Sequence, residues 1–367
     1  MKKKIIVLLF ILMLVFTSIS CNANVSRDNE TETEKINESI LDKELKIHFI
    51  DVGQADCTII ELPNEEEILI DAGNMGDADT IINYLDKLNI EDIEYMILTH
   101  PHEDHIGSAI DIIENIDIDN VYMPDVSYDS KLYENTLSSI NENNIPVTMA
   151  SGGLVIIDSP NLKFEVLGPN TMYYSELNEY SVVTKLTYED TSYLFTGDAE
   201  SVSELEMIRK GYDLDSDLLK VGHHGGRTSS SRDFIQAVTP KYSIIFSEKG
   251  NSYGHPHEET LSKLSSMNSD IYRIDESGTI IATSNGQSIS INTSASVITQ
   301  DSEKTSNSST NNESEKNIQY VGNKNSFVFH DSSCSSVDDM KDSNKVIFSE
   351  RKEAINQGYK PCGRCNP

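Results

Sequence analysis

Seven of this chain's nine histidines fall in three short clusters: His100, His102 and His105; His223 and His224; His255 and His257. The first reads Thr99-His100-Pro101-His102-Glu103-Asp104-His105, so imidazoles and a carboxylate crowd one short stretch. Those are ligands suited to zinc, iron or manganese. A strand followed by a tight loop would aim His100, His102, Asp104 and His105 at one point. Asp198, in Leu194-Phe195-Thr196-Gly197-Asp198-Ala199, sits just past another strand, where one carboxylate could bridge two cations. His223-His224-Gly225-Gly226 follows a third strand, and its glycines permit close backbone approach to a ligand. One of this histidine pair is expected to complete a second metal.

A second constellation lies near the C-terminus. Phe329-His330-x3-Cys334 and Cys362-x2-Cys365 supply four ligands in two pairs, the arrangement of a closed tetrahedral structural zinc site. Of the two remaining cysteines, Cys57 lies in an apolar strand and reads as a small core residue. Cys21 belongs to the leader.

The elements that must position these residues are legible from their periodicity. Leu45–Ile50 alternates with period two, and Ile59-Ile60 and Ile68–Ile70 continue the strand pattern. Residues 79–88 place Ile81, Ile82, Leu85 and Leu88 on one helical face. Ile93–Leu98 reads as a strand stopping at Thr99-His100, and Ile106–Ile116 as a helix. Strands over Val182–Tyr188 and Ser192–Thr196 run into Gly197-Asp198, residues 199–210 form a helix, and Leu218–Val221 ends at His223-His224. Strand ends that repeatedly deliver His or Asp predict an α/β layered domain with its site at the strand termini.

Composition sets the outer limits. With 29 Lys+Arg against 60 Asp+Glu the net charge is −31, which excludes a whole-chain basic nucleic-acid binder. Any polyanion must be met locally, through metal or a small basic patch. Hydrophobic residues make up 37%, below the usual globular share, so part of the chain is expected to be linker. Lys2, Lys3 and Lys4 precede the apolar run Ile5–Phe16 and then Thr17-Ser18-Ile19-Ser20-Cys21, the plan of a secretory signal. The stretch resembles a bacterial lipobox, with Ser18 where Leu is preferred, and that implies lipidation of Cys21 and an extracytoplasmic, membrane-anchored protein. The domain plan is a leader over 1–21, a polar tether over 22–44, a catalytic body over 45–292, a Ser/Thr/Asn/Glu-rich linker over 293–317 and a small module over 318–367.

The body resembles the metallo-β-lactamase superfamily, and within it the branch of the hydrolase domain of the ComEC competence protein. The resemblance rests on Phe49-Ile50-Asp51-Val52-Gly53-Gln54-Ala55-Asp56, Ile70-Asp71-Ala72-Gly73, the His100 cluster and Asn178-Glu179-Tyr180-Ser181. Thr196-Gly197-Asp198-Ala199-Glu200, Lys220-Val221-Gly222-His223-His224-Gly225-Gly226-Arg227-Thr228 and Tyr253-Gly254-His255-Pro256 complete it. It implies an αββα sandwich performing hydrolysis at one or two divalent ions, zinc or manganese. By position it puts His100 and His102 on the first metal, Asp104, His105 and His223 on the second, and Asp198 between them. It gives His224, Thr228 and His255 to substrate phosphate or to support of the ligands, and Asp71 to orienting a ligand histidine. Ala55 and Gly226 depart from the family's usual Gly and Ser.

The last fifty residues resemble the zinc-binding domain of the Ada DNA-repair protein. That implies one structural zinc on His330, Cys334, Cys362 and Cys365. His330 replaces the first cysteine, so the methyl-acceptor chemistry of that family is not inherited. Basic residues Lys324, Lys345, Arg351, Lys352, Lys360 and Arg364 offer contacts to DNA. The expected function is an exported, metal-dependent phosphodiesterase acting on extracellular DNA. Alternatives are a surface phosphodiesterase acting on phosphocholine or teichoic acid, and a lipoprotein that binds DNA or wall polymer without cleaving it.

Overall fold

The computed structural model describes residues 44–296 and most of 320–367. The leader with Cys21, the tether to Lys43, the linker from Val297 to Gln319, and Lys352 and Arg364 lie outside the described residues. Chain contacts divide the protein into two compact units, residues 1–299 and 300–367.

Two sheets build the first unit. From edge to edge, the eight strands of one are Ile289–Ile291, Ile280–Ser284, Leu45–Phe49, Thr58–Glu61, Glu67–Ile70, Tyr95–Ile97, Val121–Met123 and Val147–Met149. The seven of the other are Asp270–Arg273, Tyr242–Ile245, Leu218–Lys220, Thr191–Phe195, Val183–Tyr188, Leu162–Gly168 and Val155–Ser159. Alternation explains how one sequence feeds two cores. Ile68 and Ile70 pack with Phe164, Phe195 and Phe246 between the sheets, while Leu69 turns to the opposite face. There it meets Ile81 and Leu85 of the helix Ala78–Leu88, Ile112 of Ala109–Asn115 and Ile140 of Lys131–Glu142. The second sheet is backed in the same way: Leu194, Leu219 and Ile245 pack against Met207 of Ser201–Lys210, Phe234 of Arg232–Val238 and Leu264 of Glu258–Ser266. The result is a four-layer αββα sandwich.

Strand direction positions the site. Glu67–Ile70, Tyr95–Ile97 and Val121–Met123 run parallel, as do Thr191–Phe195, Leu218–Lys220, Tyr242–Ile245 and Asp270–Arg273. Parallel strands place their C-terminal loops along one edge, where α/β proteins keep their ligands.

Two expected elements are subdivided. The strand expected over Ile93–Leu98 is two pieces, because Asp92–Ile93 pairs separately with Asp117–Ile118 before Tyr95–Ile97 enters the large sheet. The helix expected over Ile106–Ile116 is likewise a short turn, Glu103–Ile106, and a second helix, Ala109–Asn115. At the break, a Cβ on Gly107 would lie 2.2 Å from the backbone of Asn74 and Met75, so only glycine fits.

The second unit is a four-stranded sheet in the order Lys345–Phe348, Tyr320–Asn323, Val328–Asp331, Lys360–Pro361. Phe329, Phe348, Ala354 and Tyr359 form one small core; Val321, Cys334, Val337, Met340 and Cys362 form another.

Candidate metal centre

Strand ends deliver the site. Asp71 follows Glu67–Ile70, Thr99 and His100 follow Tyr95–Ile97, Asp198 follows Thr191–Phe195, and His223 and His224 follow Leu218–Lys220. His102 caps the short helix that carries Asp104 and His105. Asp71, His223 and His224 have φ of 61°, 51° and 52°, the left-handed region that residues with side chains rarely enter. Each such residue costs on the order of 1–3 kcal/mol and persists only where its surroundings impose it.

Asp71 Oδ2 accepts from His105 Nδ1 at 2.7 Å, and the same carboxylate accepts from the Thr99 backbone N and Oγ1, both at 2.8 Å. This fixes the His105 tautomer and turns its Nε2 inward. Around that nitrogen stand Asp198 Oδ2 at 3.4 Å and Asp104 Oδ2 at 3.8 Å. His224 Nε2 lies 3.1 Å from Asp104 Oδ2 and 3.5 Å from Asp198 Oδ2. Beside them, His100 Nε2 and His102 Nδ1 face each other at 2.9 Å, and Ser181 Oγ is 3.4 Å from His100 Nδ1.

The electrostatics call for a cation. Burial opposes the charge on His105, yet Asp198, Asp71 and Asp104 raise it well above the ordinary imidazole range. Burial would raise Asp198, but His224, His105 and Lys220 hold it well below the ordinary carboxylate range. Burial and the neighbouring His105 hold His100 well below its ordinary value, the neutral form in which imidazole binds metal. Lys220 is the fixed cation of the group. Buried, it pairs with Asp56, donates to Gly197 O at 2.8 Å, and lies 3.7 Å from Asp198 Oδ1.

The residues fit a divalent ion. Ligand atoms of Asp104, His105, Asp198 and His224 all lie within 4.8 Å of one another. His105 Nε2 and Asp198 Oδ1 are buried with no hydrogen-bond partner, a state costing about 1–3 kcal/mol per group unless something fills it. Asp56, Asp71 and His105 also gather within that distance, but Asp71 is taken by Thr99 and His105, and Asp56 by Lys220. His100 and His102 gather with no third His, Cys, Asp or Glu at that spacing among the described residues.

The geometry differs from one expectation: it is His224, not His223, that gathers with Asp104, His105 and Asp198, being 2% exposed and facing Asp104 and Asp198. His223 points instead to Glu200 Oε1 and Thr228 Oγ1, each 3.0 Å from its Nδ1. The consecutive left-handed residues turn the two rings apart. His255 sits at the margin, its ring 6.2 Å from that of His224 and its Nδ1 3.5 Å from Gln54 Nε2. Burial, then the charges of His223, His224 and His257, push it down to about 4. Lys220 and Glu200 had no role assigned from sequence. The signal was present: a lysine in the apolar strand Leu218–Val221 must find a carboxylate if that strand is buried.

In the second unit His330, Cys334, Cys362 and Cys365 bring their ligand atoms within 4.8 Å of one another. His330 Nδ1 is buried without a partner, and burial lowers its proton affinity. No disulfide joins the cysteines among the described residues. This set fits zinc.

Residues 50–248 match the model of the metallo-beta-lactamase superfamily, and the chain belongs to that superfamily of metal-dependent hydrolases. Residues 305–367 match the metal binding domain of Ada. More particularly, the chain is similar to competence proteins. It is 29% identical over 258 residues to ComE operon protein 3 of Bacillus subtilis, covering 65% of this chain and 33% of the relative. To competence protein ComA of Neisseria gonorrhoeae it is 25% identical over 245 residues, covering 66% and 33%. This chain thus corresponds to about a third of the length of each. Among solved structures, the metallo-beta-lactamase fold protein YhfI from Bacillus subtilis aligns with a TM-score of 0.41 and 11% identity, over 62% of this chain and 95% of that one.

Proposed function

We propose that this chain is an exported, lipid-anchored phosphodiesterase that uses one or two divalent ions to cleave extracellular DNA. The observation that carries the reading is the gathering of Asp104, His105, Asp198 and His224, with the buried His105 Nε2 left without a hydrogen-bond partner. Zinc or manganese bound there would supply an activated water and offset charge growing on a phosphoryl oxygen. The chain's own residues prepare that chemistry. Asp71 holds the His105 tautomer. Lys220 offsets the buried charge of Asp56 and Asp198. His255, neutral at physiological pH, stands at the margin of the cluster as a hydrogen-bonding group for substrate phosphate. DNA is the polymer we propose for this chain, which is similar to a protein named competence protein ComA.

The test is hydrolysis of DNA and of a small chromogenic phosphodiester by the purified chain with zinc or manganese, alongside metal content per chain. Asp198→Asn should lower both activities by more than the roughly 10–100-fold that loss of a ligand's outer partner costs, and should lower bound metal. Activity on teichoic acid or phosphocholine esters with none on DNA, or an undiminished Asp198→Asn variant, would overturn the reading.

A further inference from the structure

A ladder of rings leads outward from the buried cluster. The His224 and His255 rings lie 6.2 Å apart and within 22° of parallel; His255 and Tyr253 lie 5.6 Å apart and within 23°. The first rung is 2% exposed and the last, Tyr253, is 67% exposed. The Tyr253 ring thus lies near-parallel beside histidine while the residue remains open to solvent. The loop that presents it is braced by Asn251, whose Oδ1 accepts from Tyr253 N at 3.1 Å and from His255 N at 3.0 Å. Asn251 Nδ2 donates to His255 O at 2.6 Å and to Glu248 O at 2.8 Å, and Glu248 N is held by Gln54 Oε1 at 3.0 Å. A second tyrosine, Tyr128, 36% exposed, makes an edge contact with His102, 6.2 Å between centroids. Tyr253 is therefore joined to the cluster through His255, and Tyr128 stands beside it on the His100–His102 side.

We propose that Tyr253 is a stacking platform for an unpaired base next to the scissile phosphate, with Tyr128 as a second aromatic contact, so that the site selects single-stranded polynucleotide. This rests on the phosphodiesterase reading given above and names its substrate class. An open ring face recognises flat π-systems, and every nucleobase has one. Inside a duplex both faces of each base are covered by its neighbours, so the platform favours a strand with free bases. Charge points the same way. A chain with net charge −31 has little positive charge to offer phosphates away from the metal site, and stacking supplies binding that does not depend on positive charge. A rigid tyrosine with two side-chain torsions gives up little entropy in doing so.

The experiment compares kcat/KM of the metal-loaded full chain on a short thymidine oligonucleotide and on a glycerophosphodiester that carries no ring. Tyr253→Ala should lower the ratio of the two by roughly 5- to 150-fold, chiefly through KM for the oligonucleotide. Tyr253→Phe should restore the ratio, which a role of the hydroxyl would not predict. DNA cleaved with an unchanged ratio in Tyr253→Ala would overturn the platform and leave the nuclease reading standing. Hydrolysis of the glycerophosphodiester with no DNA cleavage would overturn both.

Discussion

Among single residues, Lys220 has the widest reach. It lies on a strand of the second sheet, and its partner Asp56 lies in the loop between the first two strands of the other sheet, so one ion pair crosses the sandwich. Burial would lower its proton affinity, but Asp56 and Asp198 raise it, so it carries its charge at neutral pH. Removing one member of a buried pair leaves the others uncompensated, at a cost of about 3–5 kcal/mol. Lys220→Met should therefore unfold at markedly lower urea in the presence of a chelator. Added manganese should restore more stability to the variant than to the parent, because the ion then offsets carboxylates that lysine no longer serves. Equal urea midpoints for variant and parent under chelation would show that Lys220 does not serve this role.

Among elements, the interrupted strand after Asp92 has a consequence for pH. Glu67 opens a central strand of the first sheet, and its backbone N donates to Glu94 Oε2 at 2.7 Å, Glu94 being the residue at the interruption. Partial burial, then the charges of Glu94 and Asp92, push Glu67 up from 4.5 to about 7. The folded state keeps a proton that the unfolded chain releases near pH 4.5. This contribution to stability is full below that pH and is lost as pH rises through about 7. Glu67 is only half-buried, so solvent screening limits the effect to about 1 kcal/mol. Glu67→Gln should flatten the decline in thermal midpoint between pH 5 and 8 and raise stability at pH 8. A parallel decline in parent and variant would assign the proton elsewhere.

For the whole molecule, the two units differ in what holds them. The sandwich has one core between its sheets and two more beneath its helices. The C-terminal unit has two clusters of four or five buried residues, too little for a stable domain of about 50 residues without a staple. Its zinc-type ligands lie on and just beyond the strand Val328–Asp331 and after Lys360–Pro361, so an ion there would tie its ends together. Chelation should abolish amide protection in 320–367 while the strands of 44–296 stay protected, and Cys365→Ser should do the same without chelator. Unchanged protection in the C-terminal unit would show that its fold does not depend on metal.

How far the sequence reached follows from the distance over which each feature is specified. His100, His102, Asp104 and His105 lie within six residues of one another, so their types announce a candidate cation site locally; the fold gathers Asp104 and His105 with Asp198 and His224 and leaves His100 and His102 facing each other beside them. Strand periodicity is equally local and predicts an α/β layered domain with its site at the strand ends; the αββα sandwich comes from the family resemblance, and the run Ile68-Leu69-Ile70 is apolar throughout because both of its faces are buried. The choice between His223 and His224 was not legible, since it depends on two left-handed backbone conformations that adjacent packing imposes. Nor was the Lys220–Asp56 pair, whose members stand 164 positions apart and meet only when the two sheets close. Local sequence determined which residues could bind a cation. The packing of one sheet on the other decided which of them face it, because side-chain direction in a strained turn and the compensation of buried charge are set by neighbours remote in the chain.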